Sequence, residues 1–207
     1  MKFKLSRTAI LAAATFVAAM LVCAANGQNV QINDKPLRDF GESVRAKIDK
    51  KEIDVKKPFS VEMAAVIKDD GTLDKNASKF TSESGDPKMV EVAKQALWAM
   101  GESGYFDYLV QAGITHPTLI VSQTAQTFTG SVRSSENRIK AALITNGVNT
   151  MLSIGLSQDM DANQKLILQN THASRDGGNV DITCTLPAAD FQRMILGNTA
   201  RAAAPSN

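Results

Sequence analysis

Residues 58–100 read PFSVEMAAVIKDDGTLDKNASKFTSESGDPKMVEVAKQALWAM, and the fold is decided by how the apolar period changes along them. Phe59, Val61, Met63, Ala65 and Ile67 alternate with Ser60, Glu62, Ala64 and Val66. That is the period of a strand buried on one face. Asp69-Asp70-Gly71 then predicts a turn, with Gly71 able to take positive φ. Residues 79–82 suit a short returning strand. Ser84-Gly85-Asp86-Pro87 breaks the chain and opens a helix, with Asp86 as its cap and Pro87 in its first turn. From there Met89, Ala93, Leu97 and Met100 recur at helical spacing, with Trp98 partly buried among them. Gly101 and Gly104 end this helix, and residues 105–111 suit a short second helix or a turn.

The order of these parts resembles the first half of a TonB/TolA C-terminal domain. The alternating strand, the Asp70-Gly71 turn, the short strand at 79–82, Ser84-Gly85-Asp86 and the helix over 90–100 follow one another as they do in that family. The likeness covers residues 58–100 only. It implies a non-catalytic domain of the cell envelope in which sheet packs on helix. Its partner would be another envelope protein, adding an extended segment to the edge of the sheet. The family's transducers also carry a long Pro-rich spacer. This chain has six prolines in all and no such run, so it lacks the reach of those proteins.

The N-terminus independently points to export. Lys2, Lys4 and Arg7 precede an uncharged apolar run over residues 9–25, and Ala25 and Gly27 are the small residues a signal peptidase reads. This is the layout of a secretory signal peptide, cleaved between Gly27 and Gln28, and it places the mature chain in the periplasm or outside the cell. An uncleaved membrane anchor is the alternative, and only then would the chain touch a membrane. Lipidation at Cys23 suits the sequence less, because Val22 rather than a small residue precedes it. The chain has 23 basic and 21 acidic residues. Removing the leader's three cations leaves 20 against 21, a net charge of −1, with no electrostatic footprint for nucleic acid or anionic lipid. Cys184 alone remains, on the apolar side of an alternating segment. No internal disulfide can form, and packing must hold the fold.

Before the decisive stretch, residues 28–57 predict a polar entry and an amphipathic helix. Leu37, Phe40, Val44 and Ile48 mark its stripe, Asp34 its cap and Pro36 its first turn. Such a helix either docks on its own domain or binds a partner. The stretch 58–112 forms the TonB-like unit, and 113–196 a second α+β unit. In the second, residues 118–133 suit one long bulged strand, since Leu119 and Val121 have one parity and Phe128 and Val132 the other. Ser134-Ser135 can cap a helix carrying Ile139, Leu143, Met151 and Leu152. Residues 161–170 fit helix or strand. Arg175-Asp176-Gly177-Gly178 predicts a hairpin turn, followed by alternating Val180, Ile182, Cys184 and Leu186. A last short helix covers 188–196, and 197–207 are expected to form a small-residue, polar, disordered tail.

No constellation of catalytic, cofactor-binding or metal-binding residues emerges. His116 and His172 have no ligand-spaced partner, and Asp69 and Asp70 read as turn chemistry. Asp159, Asp161 and Asn163 fall short of a calcium loop because Gln164 stands where a glycine belongs and the distal glutamate is absent. The expectation is therefore an α+β protein, an antiparallel sheet covered by helices on one side, that acts by binding another protein. Self-association as a structural component and a small-molecule site invisible in the sequence are the alternatives. Strand addition would use residues 118–132, with Leu119, Val121, Gln123, Ala125, Phe128 and Val132, a long stretch without proline or acid.

Overall fold

The computed structural model describes residues 32–202. The expected leader, its expected Gly27–Gln28 cleavage site and residues 203–207 lie outside them. Among the described residues no helix is long and apolar enough to cross a membrane.

Helix α1 (Lys35–Asp49) is followed by three hairpin-plus-helix units. The first is β1 (Phe59–Ala64), β2 (Lys79–Gly85) and α2 (Pro87–Glu102), with the short α3 (Asp107–Gln111) after it. The second is β3 (Thr118–Gln123), β4 (Thr127–Ser135) and α4 (Arg138–Leu156), with α5 (Ala162–Gln169) after it. The third is β5 (Thr171–Asp176), β6 (Asn179–Pro187) and α6 (Ala188–Ala202). The strands form one antiparallel sheet in the order β2-β1-β3-β4-β6-β5. The fold is therefore α+β, as the sequence predicts. The two expected units are parts of a single sheet, because β1 pairs with β3 across their boundary.

The register explains the burial. Residues directly opposite on antiparallel strands share a face. Val61 faces Val121 and Met63 faces Leu119, while Phe128 faces Leu186 and Val132 faces Ile182. All are buried. The alternate residues, among them Ser60, Ser122, Thr129, Thr183 and Thr185, leave the other face half-buried and polar. The helices cover the apolar face. Phe40 and Val44 of α1 enter the same core, so this helix docks on its own domain. Phe191 of α6 stacks on Phe128 with ring centroids 3.6 Å apart.

Local chemistry sets most boundaries. Asp86 caps α2, accepting from the N–H groups of Lys88 and Met89 at 3.1 Å each. Gly85 just before it has φ of +96° and lies against the Pro58 carbonyl, so a side chain there has no room. Gly177 opens the β5–β6 turn with φ of +58°, as a type II′ turn requires. At Gly178 the backbone approaches Glu136, whose N–H donates to the Gly178 carbonyl at 2.8 Å. Residues 161–170 resolve as a helix through a capping box between Asp161 and Gln164.

Four expectations about where helices begin and end need correction. Asp34 makes no capping hydrogen bond and instead pairs with Arg38. The second unit's helix is capped by Asn137, not by the serines, because Ser134 and Ser135 still pair in β4. Gly101 lies inside α2, packed on Leu73, and the helix runs on to Glu102. The last helix continues to Ala202, past the expected start of the tail at 197.

Ser134 donates instead to the Glu136 carboxylate at 2.7 Å, and Lys140 pairs with the same group at 2.6 Å. Burial pushes the Glu136 carboxyl up, but the Lys140 and Ser134 hydrogen bonds hold it below its ordinary 4.5. A depressed folded-state value contributes stability above the unfolded pKa and loses it as pH falls through the folded one. Glu136→Gln is therefore expected to lower the melting temperature at pH 7 and to narrow the gap from wild type as the pH falls through and below the ordinary 4.5. Melts from pH 7 to 2.5 check this.

Candidate functional site

The chemistry of strand addition needs outward N–H and C=O groups on an edge strand. Residues 118–132 do not supply them. They form a hairpin, β3 and β4, in the middle of the sheet. β3 pairs with β1 and β4, and β4 pairs with β3 and β6. Leu119, Val121, Gln123, Phe128 and Val132 are buried under the helices, and only Ala125 is exposed, in the turn. The change of parity that suggests a bulge is this turn. Thr124 builds it without glycine or asparagine: its hydroxyl accepts from the N–H groups of Gln126 and Thr127 at 3.1 and 3.0 Å. Gln123 is buried for a structural purpose. Its amide donates to the Val55 carbonyl at 2.7 Å and ties the 50–58 connector to the sheet.

The two edges are β2 and β5, and they differ. On β5 the ladder alternation turns odd-numbered residues outward, since the Thr185 N–H donates to the Asn170 carbonyl on the inner side. Ala173 is one of the outward residues, and Asn149 of α4 occupies it. The Asn149 amide nitrogen donates to the Ala173 carbonyl at 2.9 Å, and the Ala173 N–H donates to the Asn149 amide oxygen at 3.0 Å. One side chain thus imitates the strand that could have paired there.

β2 has no such plug among the described residues. Six of its seven residues are exposed, and Phe80, the exception, packs edge-on to Trp98 with ring centroids 5.9 Å apart. The N–H of Asp86 donates to the Pro58 carbonyl, so Ser84 and Ser82 turn their backbone groups toward β1. Glu83 and Gly85 then point theirs outward. A register shift opposite Glu62 places a bulge at Thr81 and interrupts the edge before this stretch. The Glu83 carboxylate meets Lys94 of α2 at 3.0 Å.

The other candidate residues are structural or solvent-facing. Asp70 accepts from the Thr72 hydroxyl at 2.6 Å and the Thr72 N–H at 2.9 Å, which hold its carboxyl below the ordinary value. Gly71 has φ of +76° against the 104–107 turn. His116 and His172 are exposed and lie on separate segments. Among the described residues no three His, Cys, Asp or Glu side chains are grouped to hold a metal ion. Burial pushes the Cys184 thiol up. The sequence carries no signal for the Asn149 plug, because a polar residue inside a helix normally faces water. No family model, curated protein or solved structure matches the chain.

Proposed function

We propose that the chain is an exported, non-enzymatic interaction domain of the cell envelope, and that another envelope protein pairs with the outer edge of β2. The asymmetry of the edges carries this reading: Asn149 occupies the outward groups of Ala173 in the middle of β5, whereas β2 offers the outward backbone groups of Glu83 and Gly85. The TonB/TolA-like order of residues 58–100 supports it, since β2 belongs to that segment. The basic start, apolar run and Ala25–Gly27 site support export, with the mature chain beginning at Gln28.

Proline separates the two directions of the β2 backbone. At Glu83 it removes an outward donor and obstructs a new strand, so partner cross-linking should fall while the melting temperature holds. At Ser82 it removes a bond to β1, so the fold itself should weaken. A photo-activatable residue at Thr81, read in cells that export the chain, should capture an envelope protein, and Glu83→Pro should abolish the capture. Capture from His172 instead, or capture unaffected by Glu83→Pro, overturns the assignment to β2. An intact Met1 terminus on the purified protein overturns cleavage.

A further inference from the structure

The solvent side of α4 carries an apolar stripe beside exposed Asn146, Thr150 and Ser153. Ile139 is 77% exposed, Leu143 69%, Met151 46% and Ile154 45%. At about 100° per residue these four and Gly147 fall within an arc of roughly 120°, which Thr150 shares, and its centre lies about 120° from that of Ala141, Ile144, Leu152 and Gly155, which are buried. No charged residue occurs between 141 and 156. The sequence pattern groups Ile139, Leu143 and Met151 with Leu152, but only Leu152 is buried.

Gly147 is the second anomaly. A β-carbon there would meet nothing within 4 Å. The domain's own packing does not need a glycine, and glycine weakens a helix interior relative to alanine. Gly147 is also the midpoint of α4, which runs from Arg138 to Leu156. Leu143 and Met151 lie four residues to either side of it, Ile139 eight before and Ile154 seven after. The stripe reads nearly the same in both directions, which is what a self-complementary helix pair across a two-fold axis requires.

We propose that α4 packs antiparallel on α4 of a second copy of this chain, with the two-fold axis at Gly147. The bare glycine lets the helices approach, and the ridge of Ile139, Leu143 and Met151 enters the partner's groove. Leu143 of one copy then meets Met151 of the other. Charge selects the antiparallel sense. The N-terminal end carries Arg138 and Lys140 against Glu136, while Asp159 and Asp161 follow the C-terminal end with no cation before Lys165. Antiparallel pairing sets the positive end beside the negative one and opposes the helix dipoles. The stripe would bury on the order of 500 Å² per copy, reaching the roughly 1,000 Å² total of a specific interface. This face is separate from the β2 edge, and the inference does not depend on strand addition.

The exported chain, purified at its natural terminus, should sediment as a dimer at tens of micromolar. Leu143→Lys should raise the dissociation constant at least tenfold while melting like the wild-type chain at dilutions where both are monomeric, and Ser153→Lys, off the stripe, should leave the dissociation constant unchanged. Gly147→Cys should form a disulfide-linked dimer on mild oxidation, because residue 147 meets its own symmetry mate, and Ser153→Cys should not. Cys184 is buried and does not compete. A monomer at 100 μM overturns the proposal, whatever else the stripe covers. So does a dimer that survives Leu143→Lys and resists cross-linking at 147, a result that places self-association at another surface such as β2.

Discussion

Gly71→Val is expected to destabilise the protein by roughly 3 to 5 kcal/mol, combining a left-handed backbone with overpacking. Gly71 has φ of +76°, and a β-carbon there would stand 2.3 Å from the Asp107 backbone nitrogen and 2.6 Å from the Gly104 carbonyl oxygen. Those atoms are main chain and cannot swing aside. The Gly71 carbonyl also accepts from the Phe106 N–H at 3.2 Å, so displacing the turn pulls on Phe106, which is fully buried. Gly177→Ala is the comparison. It too has positive φ, at +58°, but its β-carbon would meet nothing within 4 Å. Only the conformational cost remains there, about 1 kcal/mol. Urea unfolding should show a midpoint for Gly71→Val lowered by more than about 1 M, and a much smaller shift for Gly177→Ala. Equal shifts would mean that the contact with the 104–107 turn contributes nothing. Asp69→Ala and Asp70→Ala should leave partner binding intact, since Asp70 serves only the Thr72 turn.

The contrast shows which features the sequence makes legible. Positive φ at Gly71 is readable, because an Asp-Gly pair between apolar runs has few other uses. The neighbour that makes it costly to change is 33 to 36 residues away and follows only from packing. The same holds elsewhere. Alternation from Phe59 and the Asp86-Pro87 helix start are local, and both appear where the sequence predicts them. The β3–β4 turn is also local, yet it is built by a threonine hydroxyl in a run of Ser, Gln and Thr that is equally compatible with extended chain. Missing it merges two central strands into one apparent edge. Sheet order is not local at all. Which hairpins stand side by side depends on where the helices settle, and so does the pairing of Asn149 from α4 with Ala173 of β5. The proposed export is the reverse case: its whole support is the pattern of residues 1–27, which lie outside the described residues.

Gln123→Pro is expected to abolish folding, and it tests the sheet order directly. Ala65 and Ile67 donate to the Pro117 and Thr115 carbonyls, so ladder alternation turns the Gln123 N–H toward Phe59 in β1. Proline removes that donor inside a strand flanked on both sides, a position proline does not occupy in sheets. It also removes the side chain. The Gln123 amide donates to the Val55 carbonyl at 2.7 Å, and losing the donor for a buried carbonyl costs about 1 to 3 kcal/mol. Gln123→Ala isolates this second part, with the backbone bond kept, and should cost about 1 to 3 kcal/mol without unfolding the protein. Thr124→Pro should be intermediate, because it loses the bond from the Thr124 N–H to the Thr127 carbonyl at the hairpin end but none to β1. Glu83→Pro, at the outer edge, should cost least of the three prolines. Circular dichroism melts of the four variants would establish the order. A folded Gln123→Pro with near wild-type stability would show that β3 is not internal and would return residues 118–132 to consideration as a pairing edge. A protein unfolded by Gln123→Pro and left intact by Glu83→Pro leaves β2 as the edge an incoming strand can use.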